Sequence, residues 1–241
     1  MAPSLPSRPF KLSADAVVVG LGQQAFADLK GKIPRLADAR TEAHVGCVMR
    51  FLAGDTTDAW EVALFEEPGA SLFALPGSKV GIYRGIFAEA QNQHQLAAAI
   101  AHVMTHVSLQ HLHERVSQQP PMAEGVATGH VSTDPDTRER RMSFGALGIT
   151  GQGGVVMPFS RLQESEADFV ALDRMAIGGF DPRQAVEFWN NMNRFGGGPG
   201  TNFLATHPLS ASRLEDMQSH MPIAMELRQR AIAAGKKPTC D

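Results

Sequence analysis

Residues 99–111, AIAHVMTHVSLQH, decide how this chain is read, because they set two imidazoles four positions apart inside an apolar run. Around them Leu96, Ala97, Ile100, Ala101, Met104, Val107 and Leu112 recur near one face of a 3.6-residue period. That spacing predicts a helix from Gln93 to about Ser117. Residues four apart stack on one side of a helix, so His102 and His106 can aim two nitrogens at one point, as metal-binding helices do. Nine histidines among 241 residues make such a pair common by chance, and two half-buried core histidines fit the spacing equally well.

A tetrahedral metal site of the open kind needs a third protein donor and a position left for water. Residues 161–179, RLQESEADFVALDRMAIGG, read as a second helix stopped by Gly178 and Gly179, with Glu164 and Asp168 one turn apart. Glu164 can complete a His, His, Glu set while Asp168 accepts a hydrogen bond from a ligating imidazole and fixes its tautomer. Glu166, two positions from Glu164, should point away from such a site. A solvated acidic face is the alternative for all three carboxylates.

The rest of the chain supplies a scaffold. Its 241 residues, 43% of them hydrophobic, suit one sizeable domain with a real core. A formal charge of -3 gives no electrostatic footprint for nucleic acid. The opening residues do not read as a secretory signal, and no stretch approaches the about 18 to 20 apolar residues of a spanning helix, so the chain as given is expected to be soluble. Residues 1–22 read as an N-terminal arm, and a single domain over residues 23–241 follows, beginning with one kinked helix or two helices interrupted near Pro34. Residues 59–87, AWEVALFEEPGASLFALPGSKVGIYRGIF, alternate like short strands joined by hairpins. Residues 119–143 carry Pro, Gly and clustered charge and predict a long mobile surface loop; helices follow from Asp181–Pro182 and beyond the Gly-rich break at 196–202. Two cysteines, Cys47 and Cys240, do not make a disulfide framework and do not decide the compartment.

In order along most of its length the chain resembles the gluzincin-type zinc endopeptidases that include HtpX, the CAAX prenyl endopeptidases and the LoiP and BepA envelope proteases. The resemblance runs through SLFALPGSKVGIYRGIF, QLAAAIAHVMTHVSLQH, PFSRLQESEADFVALDRMAIGGFDPRQAVEFWNNM and FLATHPLSASRLEDM. It implies an α+β, mostly helical zincin-like (minigluzincin) domain with a small antiparallel or mixed sheet beside the metal helix. It implies one zinc ion on His102, His106 and Glu164, with Asp168 behind them. Phe73, Ala74, Leu75, Pro76 and Gly77 resemble the edge strand along which an extended or unfolded polypeptide would lie. His207, in the Thr-His-Pro element, resembles a family imidazole that either donates to an oxyanion or fills the fourth zinc position. Arg213, six positions later, either serves the same site or pairs with an acidic neighbour. By the same resemblance the chain would work in the periplasm or cell envelope of a Gram-negative bacterium.

One departure bears on activity. Where the family pattern carries a glutamate between the two histidines, this chain has Val103. That carboxylate would take a proton from the attacking water and pass it to the leaving nitrogen, a role that typically contributes about 10² to 10⁴-fold. Valine exchanges no proton, yet it leaves both imidazoles in place. The sequence therefore predicts a zinc-binding, metalloendopeptidase-like protein whose peptide-bond hydrolysis is weakened or absent. A non-catalytic zinc-binding chaperone or adaptor that holds extended peptides is the second expectation. Smaller departures are His94 and Gln95, where many relatives carry acids, Ser71 in place of an Asn, and the polarity of residues 119–143.

Overall fold

The computed structural model describes residues 12–54, 59–118, 147, 158–195 and 203–240. Its elements run α1 (Leu12–Lys32), α2 (Ala39–Ala53), β1 (Glu61–Phe65), β2 (Leu72–Leu75), β3 (Lys79–Tyr83), α3 (Ile86–Glu89), α4 (Gln93–Ser108), α5 (His111–Ser117), α6 (Arg161–Ile177), α7 (Arg183–Phe195), α8 (Phe203–Thr206) and α9 (Ala211–Ala233). The architecture is α+β and mostly helical, with one small sheet. Among the described residues no helix is long and apolar enough to cross a membrane. The loop expected at 119–143 lies outside the described residues.

Two local expectations are corrected and one open alternative is decided. The first helix starts at Leu12, ahead of the expected start near Gln23, so the last part of the supposed arm is helical; Val18 there is buried and joins the same core as Phe26 and Leu29 further along the helix. Pro34 falls after α1, which makes two helices of the first region. The segment between them bonds along β1, where Leu36 N–H donates to Leu64 O and Glu66 N–H to Pro34 O. The predicted continuous helix from Gln93 to Ser117 breaks at Gln110, whose φ of 61° is left-handed and divides α4 from α5.

Side-chain caps set the starts of α4 and α6. Asn92 caps α4 by accepting from the His94 and Gln95 N–H groups, each at 3.0 Å. Ser160 and Gln163 form a capping box at the start of α6, the Ser accepting from Gln163 N–H and the Gln side chain from Ser160 N–H.

The sheet has the order β1-β3-β2 and is mixed. β2 and β3 form an antiparallel hairpin with Leu72 opposite Ile82, whereas β1 runs parallel to β3 with Glu61 opposite Lys79. Only one of the expected hairpins therefore exists; the chain leaves β1, crosses to the far edge as β2, and returns to the middle. β2 is buried on both faces. Leu72 and Ala74 join the core around α4, while Phe73 and Leu75 join the core around α1, the period of two that a strand imposes. Phe73 lies across its partner Gly81, where a Cβ would meet the ring at 2.1 Å.

α4 is the axis of the molecule. Every residue from Gln95 to His106 is buried, so the helix is enclosed on all sides instead of presenting one apolar face. α6, α7, α2 and β2 pack around it. Leu96, Ile100 and Met104 are each at most 1% exposed, and burying each such side chain contributes about 1.5 to 3 kcal/mol. Two histidines carried by this helix thus sit where water does not reach.

Candidate metal centre

The four-residue spacing on α4 brings His102 Nε2 and His106 Nε2 to 3.2 Å from each other. α6 crosses α4 with its first turn at that point, and Glu164 in this turn extends its carboxylate between the rings. Glu164 Oε1 is 3.4 Å from His106 Nε2, and Oε2 is 3.5 Å from His102 Nε2. His207 follows the short helix α8, its N–H donating to Phe203 O, and places Nδ1 3.2 Å from His102 Nε2 and 3.0 Å from Glu164 Oε1. One donor atom from each of the four lies within 4.8 Å of the others, and all four residues are at most 3% exposed.

These separations allow a test of fit. A tetrahedral zinc ion with bonds of about 2.0 to 2.1 Å holds neighbouring donor atoms about 3.3 Å apart. The five contacts given above span 3.0 to 3.5 Å. Three imidazoles and a carboxylate are also a donor set that such an ion takes. The residues fit a metal ion.

Electrostatics fit it as well. Burial works to raise the Glu164 carboxyl, but its contacts with His207 and His102 outweigh it and hold the group well below the usual carboxylate range. Burial pushes His207 down to about 4, against the pull of Glu164, and drives His106 well below the ordinary imidazole value. Both rings then offer lone pairs. His102 goes the other way: burial would lower it, yet Asp168 and Glu164 raise it.

Behind the cluster stands Asp168, its Oδ1 3.0 Å from His102 Nδ1. Arg213, on α9 and 1% exposed, donates from Nε and Nη2 to both Asp168 oxygens at 2.7 and 2.8 Å, and its Nη1 lies 2.6 Å from Glu164 Oε2. The same Nη1 donates to Pro208 O at 2.9 Å, which ties down the turn that carries His207. Arg213 is therefore bound to the site, and its partners are the acids of the site itself. Its guanidinium also lies 4.4 Å over the Trp189 ring.

Val103 is 2% exposed and lines a cavity of about 10 Å³ with Phe73, Ala74, His106, Leu147, Phe159 and His207. Such a space is at the lower limit for one water molecule. Phe73, Ala74 and Leu75 lie in β2, an edge of the sheet, and Pro76 and Gly77 turn the chain into β3; Phe73 to Pro76 are all buried. Glu166 stays outside the cluster and meets His111. Several neighbours escaped sequence reasoning. Phe159 stacks on His106 at 3.7 Å between ring centres and on His207 at 5.0 Å, while Trp189 sets its ring edge-on to His102 at 5.0 Å. No local pattern marks aromatic residues that arrive from distant segments. His111 stood in the opening stretch, but a five-residue spacing shares no helical face with His106, so the period hid it.

Residues 36–221 match Peptidase family M48. The chain is 30% identical over 172 residues to the mitochondrial metalloendopeptidase OMA1 of Schizosaccharomyces pombe, covering 70% of this chain and 49% of that protein. It is 31% identical to the OMA1 of Saccharomyces cerevisiae, covering 71% and 50%. The beta-barrel assembly-enhancing protease of Escherichia coli K12 is 26% identical over 210 residues, covering 83% of this chain and 42% of that protein. The chain thus spans about half the length of the curated relatives it matches. With a buried His/Glu group that can hold a metal and a family match over most of its length, the chain belongs to peptidase family M48.

Proposed function

We propose that this domain binds one zinc ion through His102, His106 and Glu164, with His207 as fourth donor, and that Val103 leaves it without effective peptidase chemistry. The observation that carries this reading is the valine itself, set beside the four-donor cluster at the cavity where a water would have to be activated. When bound, zinc supplies Lewis acidity toward a carbonyl and acidifies a bound water. The chain's own residues supply the rest. Asp168 orients His102, Arg213 holds Asp168 and Glu164, and the distances of His207 to His102 and Glu164 favour a donor role over one as an oxyanion partner. Besides His106 and His207, the cavity is lined by Val103, Phe73, Ala74, Leu147 and Phe159, none of which accepts a proton.

The test is zinc content and turnover together. The wild-type chain should bind one zinc that His102→Ala loses, and should not cleave casein. Val103→Glu should cleave it at least about 10²-fold faster, the lower end of what a positioned base contributes. A Val103→Glu protein that holds zinc and stays inert overturns the reading.

A second reading, a non-catalytic holder of extended polypeptide, is favoured by the place of β2. It is a sheet edge, and its Phe73 and Ala74 border the same cavity. Fluorescence anisotropy with a labelled unfolded peptide tests it, and no binding at millimolar protein rejects it. For the compartment we favour the Gram-negative periplasm or envelope, since the Cys47–Cys240 disulfide belongs in an oxidising space.

A further inference from the structure

The four donors leave one outer contact unexplained. His102 is backed by the carboxylate of Asp168, but His106 Nδ1 faces another imidazole, His111 Nδ1, at 3.0 Å. His111 Nε2 in turn lies 3.1 Å from Glu166 Oε2. His111 is 2% exposed, whereas the Glu166 side chain is half-exposed, so the row runs from the centre to the surface.

The order of protons along this row follows from what each atom can do. An ionised carboxylate only accepts, so His111 Nε2 carries the proton shared with Glu166. A neutral His111 then has a lone pair on Nδ1 and accepts from His106 Nδ1–H. That leaves the lone pair of His106 on Nε2, the atom that faces His102 and Glu164. A metal-binding imidazole needs this tautomer, and the partner of its other nitrogen is what fixes it.

The backbone is built to deliver His111 to this place. On an unbroken helix a residue five positions on would point about 140° away from His106. The left-handed Gln110 ends α4 and turns α5 so that His111 folds back against the preceding turn. Phe159, stacked on His106 at 3.7 Å, holds the ring plane from the side.

We propose that His111 and Glu166 are a positioning pair, acting in series to hold His106 with its Nε2 lone pair toward the metal. The proposal rests on the metal-binding reading above.

The experiment measures zinc affinity of the full chain by competition with a chromophoric chelator, for wild type, His102→Ala, His111→Phe, His111→Gln, Glu166→Ala and the His111→Phe/Glu166→Ala double variant. His111→Phe should lose about 10- to 100-fold in affinity, as loss of an outer-shell partner typically does. His111→Gln, whose amide oxygen can accept from His106 Nδ1–H, should recover most of it. Glu166→Ala should lose less than His111→Phe, and the double variant no more than His111→Phe alone, because Glu166 acts only through His111. In 15N-labelled, zinc-free protein, long-range proton–nitrogen spectra should place the His106 proton on Nδ1 in wild type and move it toward Nε2 in His111→Phe. If His111→Phe fails to fold, the half-exposed Glu166→Ala and the conservative His111→Gln still decide the matter. Wild-type affinity in His111→Phe, an additive double variant, an unmoved tautomer, or, where His111→Phe does not fold, wild-type affinity in Glu166→Ala overturns the pair. A wild-type chain that binds no zinc, or binds it undiminished in His102→Ala, defeats the metal reading instead.

Discussion

Arg213 shows what a single buried charge does here. It meets both Asp168 oxygens and Glu164, and it touches the carbonyl of Pro208. Removing one member of a buried ion-pair network leaves its partners charged and unpaired, which destabilises by about 3 to 5 kcal/mol. Arg213→Ala should therefore lower unfolding stability by about that amount in urea titration of zinc-free protein, and it should weaken zinc binding by freeing His207. Arg213→Lys keeps the charge but not the planar fork, so it should fall between the two. At this scale the sequence was partly legible. The i,i+4 histidines and the Glu164–Asp168 turn were candidates from spacing alone, and His207 only from family resemblance. His111 and Phe159 were not, since one lies beyond a helix break and the other reaches the site across the fold.

At the scale of elements, the site depends on where α6 begins. Glu164 sits in its first turn, directly after the Ser160–Gln163 capping box, and its N–H donates to Ser160 O at 3.0 Å. A carboxylate there also meets the positive end of the helix dipole. Ser160→Ala removes the side-chain cap and should cost about 1 kcal/mol of stability. Because fraying starts next to Glu164, zinc affinity should fall as well, which competition with a chelator will measure. A control cap at the remote start of α2, Asp38, should change stability without changing affinity. Helix existence was readable from period and boundary residues, as the Gly178–Gly179 stop and the Asp181–Pro182 entry illustrate. Strand pairing was not, because local alternation says that β1, β2 and β3 are strands but not that β1 joins β3 in parallel. The break at Gln110 was equally hidden, since the apolar period continues through it to Leu112.

The whole molecule is closed by its C-terminal tail. After α9 the chain turns at Gly235 and passes α6 at Gly179, where a Cβ would come within 2.3 Å of Lys236 O. It then crosses the start of α4, with Gln93 donating to Pro238 O and accepting from Cys240 N–H. Finally it is joined to α2 by the Cys47–Cys240 disulfide. The tail thus spans α6 and α4, the helices that carry Glu164, His102 and His106, and α9, which carries Arg213, leads into it. Nothing local to either cysteine reveals a pairing 193 residues apart, so this link could not be read from the sequence. Its effect follows from chain entropy: closing so long a loop restricts the unfolded state and stabilises the fold by up to about 5 kcal/mol. Cys240→Ser, or wild type with reductant, should therefore unfold at lower urea by an amount in that range. The tail lies at the Gln93 end of α4, away from His102 and His106, so zinc affinity should change far less than stability. Equal unfolding midpoints with and without reductant, under conditions where mass spectrometry confirms free thiols, would remove the disulfide from the account of how the centre is held together.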